Sequence, residues 1–86
     1  MTMGMELNRA YVNSLAVLKD DGGTIVSGLD NGHVQMWRRG ERIHDTRHSS
    51  NVVDHVIALD HGGFATAGNG QIIIWNSDGE RLFGNL

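Results

Sequence analysis

The sequence predicts an all-β protein made of two four-stranded antiparallel units, and two observations lead to this prediction. The first is an internal repeat: segments 31–37 and 69–75 both begin with Asn-Gly and end with Trp, and the two tryptophans lie 38 positions apart (75 − 37 = 38). The second is a series of short apolar runs separated by Gly, Asp and Asn, which are residues that favour turns. A repeat of this kind cannot bury its own apolar faces, so we expect each unit to pack against a neighbour.

In the first unit, we expect four short strands with turn residues between them. They cover residues 11–18, 24–28, 33–37 and 41–45. Asn31-Gly32, between the second and third strands, predicts a type I′ hairpin, because both central residues of that turn need a positive φ. The fourth strand is the most polar of the four and carries charge, as is typical of the outer edge of a sheet.

The second unit repeats this order. Its expected strands cover residues 52–59, 64–67, 71–75 and 80–83. Asn69-Gly70 predicts a second hairpin of the same type. The third strand is apolar at successive positions from Ile72 to Trp75, which indicates a sheet covered on both faces. The side chains that we expect to form the structural core share a place on the third strands: Trp37, Trp75, Val34, Ile72 and Ile74.

Four antiparallel strands with an apolar interior and an aromatic residue at a fixed place describe a propeller blade. Residues 27–37 and 65–75 resemble the sequence that ends each repeat in the WD-repeat family, and the resemblance covers roughly residues 8–83. It implies two successive blades after a short N-terminal segment. The N-terminal segment, the first blade and the second blade are expected at residues 1–8, 9–47 and 48–86.

The sequence departs from the family's pattern at positions that build a hydrogen-bond network. Asn31 and Asn69 stand where the family has Asp, six residues before the Trp. The Gly-His pair that opens a repeat is absent: Asn8 stands near that place before the first unit, and Arg47-His48 before the second. These departures predict that the family's Trp–Ser/Thr–His–Asp network is incomplete in both units. For His48, two roles stay open, a blade-capping hydrogen bond and a surface position.

Composition excludes several classes of function. The net charge of −3 argues against general binding to nucleic acid or to a membrane surface. The chain has no Cys, so it can form neither disulfides nor thiolate zinc sites, which fits a reducing cytoplasm. No apolar run approaches the ~18 residues of a membrane span. The first seven residues lack the basic start and apolar core of a signal peptide. We therefore expect a cytoplasmic protein.

No arrangement of residues in the sequence predicts catalysis or a cofactor. His44 and His48 have a spacing that converges on a helix, but this segment is expected to be strand and loop, so we predict no metal site. The serines lie in no nucleophile motif. The Gly-rich segments lie in hairpins and not between a strand and a helix, which argues against a phosphate-binding loop. We predict no enzymatic activity, no cofactor and no catalytic residue.

Two blades do not make a propeller, since closed propellers typically have about 4–8. Three or four copies could close head-to-tail into a ring, another protein could supply the missing blades, or the chain could be part of a longer one. The resemblance implies a non-enzymatic protein-interaction scaffold. The alternatives are an oligomeric propeller that binds a small ligand or carbohydrate, with Tyr11 and Phe83 as its available aromatic residues, and an excised or designed blade pair without independent activity.

The candidate partner-binding residues form a local basic cluster around the fourth strand of the first unit. They are Arg38, Arg39, Arg42, Arg47 and His48. Glu41 and Asp45 offset part of this charge. The cluster is interpreted either as a solvated edge that discourages strand pairing or as a patch that binds an acidic partner. The partners expected are other protein chains, including further copies of this one, and neither nucleic acid nor membrane.

Overall fold

The computed structural model of the chain describes residues 10–20, 22–49 and 51–84. These residues form two four-stranded antiparallel sheets, with no helix in the described ranges. The first sheet contains β1 (Val12–Val17), β2 (Ile25–Leu29), β3 (His33–Arg38) and β4 (Glu41–Arg47). The second sheet contains β5 (His55–Ala58), β6 (Phe64–Gly68), β7 (Gln71–Trp75) and β8 (Arg81–Phe83). Strand order follows chain order in both sheets, which confirms the all-β prediction.

The predicted N-terminal segment 1–8, which includes Asn8, lies outside the described residues. Seven of the eight strands lie within two residues of their predicted bounds at each end. The first strand of the second unit differs most at its start, because β5 begins at His55 and not at residue 52. Residues 52–54 instead belong to the connection between the sheets, where the Asp54 N–H donates to the Ala67 carbonyl at 2.8 Å.

The two Asn-Gly hairpins differ from each other. In the second sheet, Asn69 (φ 55°) and Gly70 (φ 73°) both have positive φ, as the type I′ prediction requires. In the Asn31-Gly32 hairpin of the first sheet, only Gly32 has positive φ, at 90°, so the type I′ prediction is wrong at Asn31. The reason is one additional loop residue: β2 ends at Leu29 and β3 starts at His33. Three-residue hairpin loops commonly place only their last residue in the left-handed region.

Both sheets contain a β-bulge at the same repeat position. In the first, the register shifts between Met36 and Trp37, so that Ile43 on β4 has no direct partner on β3. In the second, the shift falls between Ile74 and Trp75, and Leu82 on β8 is the additional residue. A bulge bends the strand and increases its twist. The repeat is therefore preserved in its irregularities as well as in its strands.

A single hydrophobic core lies between the two sheets, and each sheet contributes one face to it. From the first sheet come Val26, Val34 and Met36, and from the second Phe64, Ile73 and Trp75, with Leu18, Val53 and Val56 completing the cluster. One contact joins β1 to β5, since the Val56 N–H donates to Ser14 Oγ at 3.0 Å. A second joins the turns that follow these strands, where Lys19 Nζ lies 2.6 Å from Asp60 Oδ1. We call β1 and β5 the inner strands.

The predicted core residues do not all lie in this core. Val34 and Trp75 are buried, and Trp37 is half-buried. Ile72 is 44% exposed, Ile74 is only partly buried, and neither of them nor Trp37 belongs to the core cluster, so the core prediction is wrong for these three. Successive strand residues point to opposite faces, and the inward face of β7 is formed by Ile73 and Trp75. The opposite face is not covered by any described residue.

Candidate interaction surfaces

A buried hydrogen-bond relay joins three residues of the second sheet and its entry loop. Trp75 Nε1 donates to Thr66 Oγ1 at 2.8 Å, and His48 Nδ1 lies 2.7 Å from the same hydroxyl. His48 Nε2 lies 2.9 Å from the carbonyl oxygen of Gly68. Because a carbonyl only accepts, Nε2 carries the proton and Nδ1 accepts from the Thr66 hydroxyl. The relay ties the connection between the sheets to β6 and β7.

This relay corrects one prediction and refines a second. His48 is 4% exposed, so the prediction that its side chain binds a partner is wrong, and of the two roles left open its hydrogen bonds fit the blade-capping one. Three of the four members of the family network are joined in the second unit. Asn69, at the place of the Asp, is exposed in its hairpin and accepts from Asn51 Nδ2 at 3.4 Å. The network is therefore incomplete in the second unit, as predicted, but it lacks only the member at Asn69.

The equivalent position in the first sheet has a shorter network. Trp37 Nε1 donates to Ser27 Oγ at 3.2 Å, and the Ser27 hydroxyl donates in turn to the carbonyl of Gln35 at 3.3 Å. No histidine in the described ranges hydrogen-bonds to Ser27. The first sheet therefore retains the pair formed by the Trp and the hydroxyl without the link to a preceding loop.

Arg38 acts within the fold and not on a free surface. Its Nε and Nη2 donate to Thr24 Oγ1 at 3.1 and 2.8 Å, and Nη2 lies 3.7 Å from Asp20 Oδ2. Desolvation raises the pKa of the Asp20 carboxyl, but the hydrogen bonds from Thr24 and the Arg38 charge outweigh it, so the pKa lies below its ordinary value. These contacts fix the turn between β1 and β2 against the end of β3.

The side chains of β3 and β4 form a polar network around one carboxylate. Asp45 Oδ1 lies 2.7 Å from His33 Nδ1, and Asp45 Oδ2 accepts from Gln35 Nε2 at 3.0 Å and lies 3.5 Å from Arg42 Nη1. Arg47 Nη2 lies 2.9 Å from His33 Nε2. We call these five residues the Asp45 cluster.

Charge and hydrogen bonding set the pKa of the Asp45 carboxyl. Desolvation raises the pKa of Asp45, but hydrogen bonds from His33 and Gln35 and the charge of Arg42 outweigh it, so the pKa lies below its ordinary value. The cluster borders a cavity of about 370 Å³ on the outward face of the first sheet, which Ala10, Leu29 and Asn31 also line.

The five candidate partner-binding residues do not form one basic patch. Arg38 and Arg39 stand at one end of the β3–β4 hairpin, where Arg39 holds a left-handed turn with φ 55°. Arg47 pairs with His33 at the other end of β4. With a rise of ~3.3 Å per residue, the ends of this seven-residue strand are about 20 Å apart. The single-patch prediction is wrong, because strand geometry spreads out residues that are near each other in sequence.

Each sheet has one face that no described residue covers. On the first sheet, the leading face carries Leu15 and Val17, each 63% exposed, with Ile25, Trp37 and the Asp45 cluster. On the second, the trailing face carries Ile57 (57% exposed), Ile72 and Phe83 (61%). Contiguous exposed apolar surface on a soluble protein marks an interaction site. The prediction that both faces of each sheet are covered holds here for one face only.

Other kinds of site find little support in the described residues. Within residues 10–20, 22–49 and 51–84, no group of three or more His, Cys, Asp or Glu is arranged to hold a metal ion. None of the described segments forms a helix long and apolar enough to cross a membrane.

Comparison with known proteins identifies the fold. Neither the scan against protein-family models nor the search of curated proteins finds a match. Among solved structures, the chain is similar to U3-55K, a WD40 β-propeller protein, with a TM-score of 0.78 and 20% sequence identity. The match covers 88% of this chain and 26% of that one, so the chain spans about a quarter of its length. The two sheets thus have a WD-repeat propeller-like fold and correspond to part of a propeller.

Proposed function

We propose that the chain is a non-enzymatic protein-interaction scaffold that contributes two blades to a propeller completed by other protein chains. One observation carries the proposal: the leading and trailing faces lie on opposite sides of the shared core and both expose large apolar side chains. Burying one such side chain contributes roughly 1.5–3 kcal/mol. The two faces therefore favour association with a further sheet on each side.

The interface inside the chain supplies the pattern for such contacts. The inward face of the first sheet packs on the inward face of the second through Val34, Met36, Phe64 and Trp75. If a further sheet packs on each open face in the same way, blades are added at both ends of the pair. Contacts of this head-to-tail kind close into a ring when the rotation per blade permits it. Two routes lead to closure: three or four copies of this chain, or blades from a different chain.

Binding of a small ligand or carbohydrate is a weaker proposal. Tyr11 precedes the inner strand of the first sheet, and Phe83 lies on the outermost strand of the second. These two exposed aromatic side chains therefore stand on different sheets and do not line one pocket.

The experiment measures whether the open faces are accessible interaction surfaces. Light scattering on a size-exclusion column gives the absolute mass, and binding of a fluorescent apolar dye reports uncovered apolar surface. Ile72→Lys places a charge on the trailing face, and Leu82→Lys, at a similarly exposed bulge position (48%), is the matched control. We expect Ile72→Lys to reduce dye binding or association, and Leu82→Lys to leave both unchanged. A monodisperse monomer that binds no dye and does not respond to Ile72→Lys would overturn the proposal.

A further inference from the structure

We propose that the trailing face binds a β-sheet of a different protein chain, one with small side chains on its inner strand, and that a second copy of this chain does not fit there. The inference rests on the proposed function, because it identifies which of the two closing routes the faces permit. It follows from a position-by-position comparison between the interface already formed and the contact that a second copy would have to make.

The formed interface is tightly packed at Gly28. A Cβ atom at Gly28 would lie 2.6 Å from Val53 Cγ1 and 2.9 Å from Val56 Cγ2, distances that real side chains essentially never show. The neighbouring positions of the first sheet are also small: Ser14 pairs with Gly28, and Ala16 pairs with Val26. The two sheets approach this closely because the first one presents little side-chain volume near its inner strand.

The trailing face presents larger side chains at the equivalent positions. Gly28 pairs with Val34 as Ala67 pairs with Ile72, so Ala67 stands where the first sheet has Gly28. By the same registers, Ile57 replaces Ala16 and His55 replaces Ser14. A methyl group is thus present on the trailing face where the formed interface has no space for one.

The leading face of a second copy would add further bulk at this contact. Leu15 pairs with Ser27 as Val56 pairs with Thr66, so Leu15 would take the place of Val56. Val17, in the same way, would take the place of Ala58. Larger side chains on both sides overpack a close interface and force strained rotamers or a wider spacing.

The outer half of the contact is mismatched in polarity. Gln35, paired with Ser27, would take the place of Ile73, paired with Thr66. Gln35 belongs to the Asp45 cluster, whose carboxylate and guanidinium groups now face solvent. A second copy would cover them with the apolar trailing face, which carries Ile72 and Ile74. Removing charged groups from water without new polar partners is unfavourable.

The comparison defines the chemistry of the fitting partner. The partner is a β-sheet with Ala or Gly at the two inner-strand positions that Leu15 and Val17 occupy here, and with an aliphatic side chain in place of Gln35. Such a face matches the bulk of Ile57 and Ala67 with small residues and the apolar Ile72 with an apolar one. The two open faces of this chain are therefore built for different occupants.

The test replaces three side chains of the leading face, so that it gains the small and aliphatic residues that we expect the trailing face to bind. The variant Leu15→Ala, Val17→Ala, Gln35→Ile alters side chains outside the core, so folding is expected to persist and is checked by circular dichroism. The probe is the chain itself, whose absolute mass is measured by light scattering across a concentration series. Ile43→Ala, at an exposed bulge position away from the inner strands (45%), is the matched control.

We expect the triple variant to form a discrete particle of three or four chains, and the wild type and Ile43→Ala to form none. Adding Ile72→Lys to the variant is expected to disperse the particle, since it charges the trailing face. A discrete particle of three or four wild-type chains would overturn the inference and leave the scaffold proposal standing. A folded triple variant with the wild-type mass would also overturn it. A wild-type monomer that binds no apolar dye would instead count against the scaffold proposal.

Discussion

His48 Nδ1 lies 2.7 Å from the hydroxyl of Thr66, and this contact fastens the connection between the two sheets to the core of the second. The same hydroxyl accepts the indole N–H of Trp75. All three residues are buried. A buried polar group is stable only while its partners are present, so the relay makes the packing of the second sheet depend on a loop that follows the first.

Removal of His48 is expected to destabilise the chain. His48→Ala leaves the Thr66 hydroxyl and the Gly68 carbonyl without their buried partner, and an unsatisfied buried group costs about 1–3 kcal/mol. Ser27→Ala is the matched control, because its network is shorter and its Trp partner is half-buried. Urea denaturation measures both free energies of unfolding. Equal losses for the two variants would contradict a special role of the relay.

A methyl group at Gly28 is expected to separate the sheets. Gly28→Ala places a Cβ against Val53 and Val56, and overpacking of this kind costs about 1–3 kcal/mol. Gly28 is not among the glycines with positive φ, so the loss is steric and not conformational. Ala67→Gly, at the equivalent open position, is expected to lose about 0.5–1 kcal/mol of backbone preference only. The ordering of the two melting temperatures decides the prediction.

The Asp45 cluster is expected to make stability depend on pH in the acid range. Folding lowers the pKa of Asp45 below its ordinary value of 3.8, so the folded chain binds fewer protons than the unfolded one. The stabilisation is complete above that value and is lost as pH falls through the folded pKa. Thermal melts between neutral and strongly acid pH should show a smaller acid loss for Asp45→Asn than for the wild type. Asp54→Asn, an exposed carboxylate outside the cluster, is the control, and an equal change in its pH profile would contradict the assignment.

The strand count and order could be predicted because turn residues punctuate the sequence at regular intervals. The inward face of β7 could not. In β7, Ile72, Ile73 and Ile74 are all apolar, so no alternation distinguishes the side that the first sheet covers from the open one. In β3 the same ambiguity is absent, since Gln35 separates Val34 from Met36, and Val34 is indeed buried.

The role of His48 was also only half predictable. Its place before the second repeat suggests a cap, but with Val53 aligned to Val12 it stands one residue off the spacing of the WD-repeat family. The connection absorbs this difference, since residues 52–54 form no strand and β5 begins later than predicted. Sequence spacing measures the length of a loop and not its path, so only the structure shows that the imidazole reaches Thr66. Loop length also decides the turn in the first hairpin, where Asp30 is the additional loop residue and only Gly32 has positive φ.

The two tryptophans are expected to differ in both stability and exposure, although they occupy equivalent repeat positions. Trp75 is 2% exposed, stacks on Phe64 with ring centroids 5.8 Å apart and lies 5.6 Å from the Arg81 guanidinium. Trp75→Ala is therefore expected to cost about 3–5 kcal/mol. Trp37 lies on the leading face and is half-buried, so Trp37→Ala is expected to cost clearly less. Urea denaturation gives both values.

Quenching of tryptophan fluorescence by acrylamide gives an independent measurement of the difference in exposure between Trp37 and Trp75. In the variant Trp75→Phe, acrylamide is expected to quench the fluorescence of the remaining Trp37 strongly. In Trp37→Phe, it is expected to quench the remaining Trp75 weakly. The outcome depends on whether the leading face is open. If Trp37 is as well protected from acrylamide as Trp75, the leading face is covered in solution by another copy of this chain. If Trp37 is accessible, that face is free for the sheet of another protein.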